Sequence, residues 1–296
     1  MTHKKMLIVY AHPDDESFGS GGLISKYTAE GVQVDYVCAT DGDMGTPDEA
    51  IRNESSSLAE IRLKELDCAK QVLGINNIIR LKYQDSGMLG DKANRAINCL
   101  WYQWQNYPDA VIQRLVDIFR TVQPQVIVTF NSFGGYGHPD HIAIQAATTE
   151  AFGLSADASY QGSPLTPFEP QKLYYASIPA EKFYGLYLWF LRLSGNDVRR
   201  MGLNRDLDLQ SVKDNLEPTH ALIDVRDYMN LWDQASDCHV SQGQGRNTGT
   251  RGMLATLPGW IRGRIAGYDR LTRVFPKPKV DKIDEHDLFC GVTLRN

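Results

Sequence analysis

Cysteine is sparse in this chain and follows no pattern. Cys38, Cys68, Cys99, Cys238 and Cys290 are odd in number and form no Cys-x-x-Cys pair, which argues against a zinc knuckle, a dithiol redox site or a disulfide-stapled scaffold. All five are expected to be ordinary buried thiols in a reducing compartment. Long apolar runs are missing as well. Residues 6–10 are too short a run for the core of a signal peptide, and nothing approaches the roughly 20 apolar residues that cross a bilayer. The expectation is a cytoplasmic protein with no stable membrane insertion. Neither sign of charge dominates: 31 Lys and Arg against 36 Asp and Glu are interspersed, with no basic stripe interleaved with aromatics, so nucleic acid is not an expected partner. No Gly-x-Gly-x-x-Gly follows the first apolar run, which removes the usual dinucleotide cradle.

What is present is a chain of 296 residues, 42% hydrophobic, enough to bury a substantial core. Over the first 150 residues, short apolar runs at 6–10, 32–39, 78–81 and 126–130 alternate with helical periodicity ending near 30, over 53–73, over 110–122 and from 138 to about 152. This predicts a Rossmann-like open α/β sheet, mostly parallel, with helices on both faces. Polar clusters follow each predicted strand, at the carboxyl edge where such sheets bind ligands. Beyond 155 the pattern is less regular. A loop over 159–170, strands at 172–178 and 221–225, an aromatic helix at 180–193 and a helix at 226–239 are expected, with 241–252 as a lid or linker. With no repeat and no clear linker, 1–296 reads as a single domain: a core over 1–155 and an irregular C-terminal extension over 156–296 that completes the pocket. The aromatic stretch 91–108, with Trp101, Tyr102, Trp104 and Tyr107, reads as packing a homo-oligomer interface, with stacking on sugar rings as the alternative.

The strongest local signal is His12-Pro13-Asp14-Asp15-Glu16 after the first strand, paired with His138-Pro139-Asp140-His141 after the fourth. Two histidines and a carboxylate are a common catalytic zinc set, and His12, Asp15 and His141 supply it. Pro13 stiffens the turn so that His12 and Asp15 can converge. Asp14 is then the general base for the activated water, and His138 stabilises the oxyanion or protonates the leaving amine. Asp140 is expected to accept a hydrogen bond from the His138 imidazole and fix its tautomer.

These two motifs, AHPDDE and GGYGHPDH, resemble the LmbE-like family, which includes the N-acetylglucosaminyl-phosphatidylinositol de-N-acetylases and the mycothiol-pathway deacetylases and amidases. The resemblance covers residues 6–150 and weakens beyond. It implies an LmbE-like domain, Zn²⁺ with Fe²⁺ as the alternative, a small amino-sugar conjugate as partner, and the same roles for His12, Asp14, Asp15, His138, Asp140 and His141. Tyr136 resembles a mobile tyrosine brought to the oxyanion. Arg62, in an Arg-x-x-Glu with Glu65, resembles an arginine that reaches the ligand, and Asp85 resembles an aspartate that binds sugar hydroxyls. Asp43 stands where the family carries glutamate and is carried over as a substrate contact, as is His239 in a late His-x-Ser-Gln.

The reaction so implied is hydrolysis of an N-acyl group, N-acetyl first of all, from an amino-sugar conjugate such as an N-acetylglucosaminide. An amidase acting on a larger acyl group of a thiol or sugar conjugate would use the same residues. Two histidines and one carboxylate also form the facial triad of non-haem iron oxygenases, but a second acid beside the set favours hydrolysis. A non-catalytic sugar- or nucleotide-binding α/β module is the remaining alternative.

Overall fold

The computed structural model describes residues 3–45, 56–177, 181–202, 204–242, 263–264 and 266–294. In chain order these form β1 (Lys5–Tyr10), α1 (Asp15–Ala29), β2 (Gln33–Thr40), α2 (Leu58–Leu73), β3 (Asn77–Tyr83), α3 (Leu100–Asn106), α4 (Pro108–Val122), β4 (Val126–Thr129), α5 (Gly134–Gly137), α6 (Pro139–Ala156), β5 (Lys172–Ser177), α7 (Glu181–Leu193), α8 (Leu209–Asp214), β6 (Ala221–Asp224), α9 (Met229–Asp237) and β7 (Tyr268–Phe275). A seven-stranded sheet in the order β3-β2-β1-β4-β5-β7-β6 runs through them, parallel from β3 to β5. Its centre is β1 and β4, whose unbroken apolar runs suit strands covered on both faces. Helices α1, α2 and α9 pack on one another as one layer, and α3, α4 and α6 as another.

Local signals set the helix ends. Ser57 and Glu60 form a reciprocal capping box at the start of α2, and Gly74 closes the helix at φ 72°. Pro108 opens α4 and Pro139 opens α6, each in the first turn where its missing N–H costs nothing. Strand order reverses between β1 and β4, so the crevice beyond their carboxyl ends is the switch point of the sheet.

Three expectations change. Strand β7 pairs antiparallel with both β5 and β6 and separates them in the sheet. Its apolar residues Tyr268, Leu271, Val274 and Phe275 have helix-like spacing, which hides a strand from periodicity. The aromatic stretch 91–108 contains helix α3, and Trp101 and Trp104 pack inward against this chain's own main core instead of facing out as an oligomer surface, while Tyr107 stays exposed. Third, the cysteines are not all free thiols: Cys68 and Cys238 form a disulfide across 170 residues of sequence, Cys38 and Cys99 are buried thiols, and Cys290 is exposed. Packing of α2 on α9 brings the bonded pair's Cα atoms to 5.8 Å, a separation only the tertiary fold creates. The thiol argument for a reducing compartment loses its footing there. No helix among the described residues is long and apolar enough to cross a membrane. Of the predicted lid or linker over 241–252, all but Ser241 and Gln242 lies outside the described residues.

Candidate metal centre

Two loops at the switch point build the site. The first leaves β1 and enters α1 through Asp14, whose φ of 134° lies in the left-handed region. Here the Asp15 carboxylate accepts the His12 backbone N–H at 2.7 Å, and the Tyr36 hydroxyl donates to the His12 carbonyl at 3.0 Å. The second loop leaves β4 and turns through Gly134 and Gly135, both at positive φ. A Cβ on Gly134 would stand 2.9 Å from the His141 Cβ and from the Ile142 backbone nitrogen, so only glycine lets the loop close onto the start of α6. Phe130 stacks on the His141 ring at a centroid distance of 3.9 Å and holds its plane.

Hydrogen bonds on the outer nitrogens fix which lone pairs face inward. His141 Nδ1–H donates to the Gly134 carbonyl at 3.1 Å, which leaves Nε2 as the inner atom. His12 Nε2–H donates to Asp140 Oδ2 at 3.3 Å, which leaves Nδ1 inward. His12 Nδ1 and His141 Nε2 then face one another at 3.1 Å, with Asp15 Oδ2 3.4 Å from the first and Asp15 Oδ1 3.5 Å from the second. Tetrahedral ligands on bonds of about 2.0–2.1 Å stand roughly 3.3 Å apart, a spacing that the two imidazole nitrogens meet; Asp15 reaches them through different oxygens, and among the described residues the donor atoms within 4.8 Å of one another belong to His12, His138 and His141, and to His12, Asp85, His138 and Asp140. The donor chemistry fits too, since a divalent cation takes imidazole nitrogens in their neutral form and carboxylate oxygens.

The electrostatics agree. Burial lowers the His141 pKa to about 4, so its imidazole is neutral near pH 7. Burial also disfavours charge on His12, yet Asp85, Asp140 and Asp15 outweigh it and raise its pKa. A positive charge is favoured at this point of the fold. Asp15 feels the opposite balance: burial opposes its ionisation, and His141 and His12 overcome that to push its pKa down.

The partner of Asp140 differs from expectation. Its carboxylate accepts from Ser86 N–H at 2.9 Å, from the Ser86 hydroxyl and from His12, not from His138. His138 is the N-cap of α6, so its Nδ1 accepts the Asp140 backbone N–H at 3.2 Å and is occupied by the helix itself. Its Nε2 points instead towards Asp85 Oδ1, 3.9 Å away. Burial, reinforced by His12 and His141, lowers the His138 pKa and leaves a neutral ring with Nε2–H free to donate.

Asp14 adjoins Asp15 in sequence, and its charge interacts with those of Asp15 and His12. Arg62, 3% exposed, reaches it with Nη2 at 3.0 Å from Asp14 Oδ2, and also donates to the carbonyls of Pro13 at 2.8 Å and Gly42 at 2.7 Å. Burial raises the Asp14 pKa to about 6 against the pull of Arg62. Arg62 is therefore held on the back of Asp14 and not on open space. Its i+3 neighbour Glu65 does not pair with it; it accepts from the Ser241 N–H and hydroxyl, each at 2.6 Å.

Asp85 is buried among the imidazoles, 3.6 Å from His12 Nε2, and Asp43 accepts the Asp85 backbone N–H at 2.9 Å, so Asp43 supports the turn that carries Asp85. Tyr136, 39% exposed, stands at the rim with its ring 5.0 Å from that of His141. His239 is 0% exposed and faces Glu16, not the crevice. Glu16, Ser86 and Ser241 are site residues that motif reading did not single out; Glu16 sits inside the AHPDDE run, where its neighbours carried the whole signal.

Comparison with known proteins adds the following. The family model described as GlcNAc-PI de-N-acetylase matches residues 7–152. The 1D-myo-inositol 2-acetamido-2-deoxy-alpha-D-glucopyranoside deacetylase of Acidothermus cellulolyticus is 33% identical over 300 residues, covering 98% of this chain and 95% of that one. The deacetylase of the same name from Thermobifida fusca is 38% identical over 188 residues, 60% of this chain and 64% of its own, so the match spans under two thirds of that relative. Among solved structures, N,N'-diacetylchitobiose deacetylase from Pyrococcus horikoshii shares the fold over 94% of this chain and 88% of its own, with a TM-score of 0.62 and 22% identity. With a match over nearly the full length of the Acidothermus protein, the chain belongs to the GlcNAc-PI de-N-acetylase (PIG-L, LmbE-like) family.

Proposed function

We propose that this protein is a zinc-dependent N-deacetylase acting on an amino-sugar conjugate, an N-acetylglucosaminide in the first instance. The observation that carries this reading is the approach of His12 Nδ1 to His141 Nε2 at 3.1 Å with Asp15 oxygens 3.4 and 3.5 Å from the two, and with Asp14, next in sequence, interacting electrostatically with Asp15 and His12. Relatives whose names specify deacetylation of a glucosaminyl inositol support the substrate class. The single-domain reading belongs to the proposal: β5, β7 and β6 extend the same sheet as the first half, and His239 and Ser241 reach back to α1 and α2.

His12, Asp15 and His141 would hold the cation. Zn²⁺ bound there supplies Lewis acidity and lowers the pKa of its water towards about 7. Asp14 would serve as the general base, accepting at its carboxylate the proton given up by the attacking water, and Arg62 keeps that carboxylate aimed. His138, with Nδ1 occupied, offers Nε2–H to the developing oxyanion, and Tyr136 at the rim is placed to join it. Asp14 then returns the proton to the leaving nitrogen, which leaves acetate and a free amine. Asp85, between the imidazoles and the turn at Gly87, is the proposed reader of sugar hydroxyls.

Release of free amine from a panel of N-acetylglucosamine conjugates, with metal analysis of the same preparation, tests this. Amine release that is abolished by chelation and restored by zinc is expected. Turnover confined to larger acyl groups would replace the deacetylase by an amidase, and no metal-dependent amine release from any acylated sugar would overturn the reading.

A further inference from the structure

The C-terminal segment that follows α9 makes two buried contacts that the proposed chemistry does not use. His239 and Glu16 are both 0% exposed, and His239 Nε2 stands 2.6 Å from Glu16 Oε1. Glu16 Oε1 also accepts the Ser17 hydroxyl at 2.7 Å, while its other oxygen, Oε2, accepts the backbone N–H of Asp14 at 3.0 Å. That N–H belongs to the residue at φ 134°, a conformation L side chains rarely adopt and hold only when their surroundings over-determine it. Two residues on, the N–H and hydroxyl of Ser241 both bind Glu65, one helical turn from Arg62, whose guanidinium holds the Asp14 carboxylate.

Arg62, Glu65 and Cys68 follow one another along α2 at steps of three residues, each beside the next, and the third of them is bonded to Cys238. The two ends of Asp14 are thus set from one place: its backbone through Glu16 and His239, its carboxylate through Arg62 beside Glu65 and Ser241. Trp232, on α9, adds a grip on the same turn by donating to the Ser17 carbonyl at 2.6 Å.

We infer that His239 is a positioning residue for Asp14: through the Glu16 carboxylate it locks the strained backbone that aims the Asp14 side chain, and it makes no contact with substrate. This rests on the reading of Asp14 as the base. Misaiming a reacting group by an ångström costs up to about 100-fold in rate, without weakening substrate binding.

The test uses the full chain with zinc bound. His239→Gln should lower kcat by about 10- to 100-fold, with KM and one equivalent of metal unchanged. The double variant Glu16→Gln/His239→Gln should be no slower than the slower single variant, since both act through one hydrogen-bonded path. In the metal-free protein, amide exchange over residues 11–18 should speed up in His239→Gln while that of β4 stays as in the parent.

A raised KM at unchanged kcat would make His239 a substrate contact and overturn the inference, as would multiplicative losses in the double variant or unaltered exchange over 11–18. Should His239→Gln fail to fold, Glu16→Gln is read by the same kcat and exchange criteria, and parental values there overturn the inference. Asp14→Asn separates the two levels: parental activity in that variant rejects Asp14 as base, whereas an inactive Asp14→Asn beside a fully active His239→Gln rejects only the positioning role.

Discussion

Two adjacent aspartates, identical in chemistry, are driven apart by their surroundings. Asp15 lies between two imidazoles that favour its charge, while for Asp14 burial, with Asp15 beside it, outweighs the pull of Arg62, His239 and His12. A ligand needs a permanent anion, and a base needs affinity for a proton; the two environments match those two tasks. Asp14→Asn keeps the size of the side chain and an oxygen for Arg62, so metal content should stay at one equivalent while turnover falls by about 10²–10⁴-fold. Parental turnover would remove Asp14 from the mechanism. His141→Ala should instead lose the metal, and retention of a full equivalent on elemental analysis would sink the ligand assignment. Between these lies Asp140→Asn: the carboxylate that orients His12 is not itself among the three convergent groups, so its loss should weaken metal affinity about 10–100-fold. Competition with a chromogenic chelator measures that, and unchanged affinity would mean that Ser86 and the loop hold His12 unaided.

At the level of elements, legibility followed sequence distance. The turn at His12–Asp15 and the helix start at His138–His141 were readable because each is a local arrangement just past an apolar run, and two such runs after parallel strands must open on one edge. The partner of Asp140 was not readable, because Ser86 comes from the β3 turn and competes for the carboxylate that spacing alone would give to His138. Likewise His239 reads as pocket-lining in a His-x-Ser-Gln string, whereas the packing of α9 on α1 turns it inward onto Glu16. The disulfide is the extreme case, with 170 residues between its ends. Five cysteines less one bonded pair leaves three thiols, so titration of denatured, unreduced protein should find three. Five would reject the bond. Where it is present, reduction should destabilise the fold by about 2–4 kcal/mol, read as a lower unfolding midpoint at equal protein concentration.

Across the whole molecule, the question is whether the half that carries the motifs stands alone. Residues 7–152 match the family model, and every residue of the metal set lies within them. Yet β4, fully buried along its length, pairs on one side with β1 and on the other with β5, which belongs to the second half. Cutting after residue 156 would expose that flat apolar strand as a sheet edge, the arrangement natural proteins avoid because it templates pairing with other chains. The cut would also remove His239, Ser241 and Cys238, and with them the buried partners of Glu16 and Glu65. Glu65 would lose both Ser241 donors and Glu16 would lose His239 while keeping Ser17 and the Asp14 N–H, and stripping donors from buried carboxylates is costly. A chain of residues 1–156 should therefore aggregate or lack a cooperative unfolding transition, and should hold zinc poorly. Monomeric behaviour on size exclusion, a sharp thermal transition and a full equivalent of metal in that fragment would show that the second half only shapes the substrate entrance. The expected failure would mean that the metal set forms only when β5 covers the edge of β4 and the segment after α9 packs back on α1 and α2.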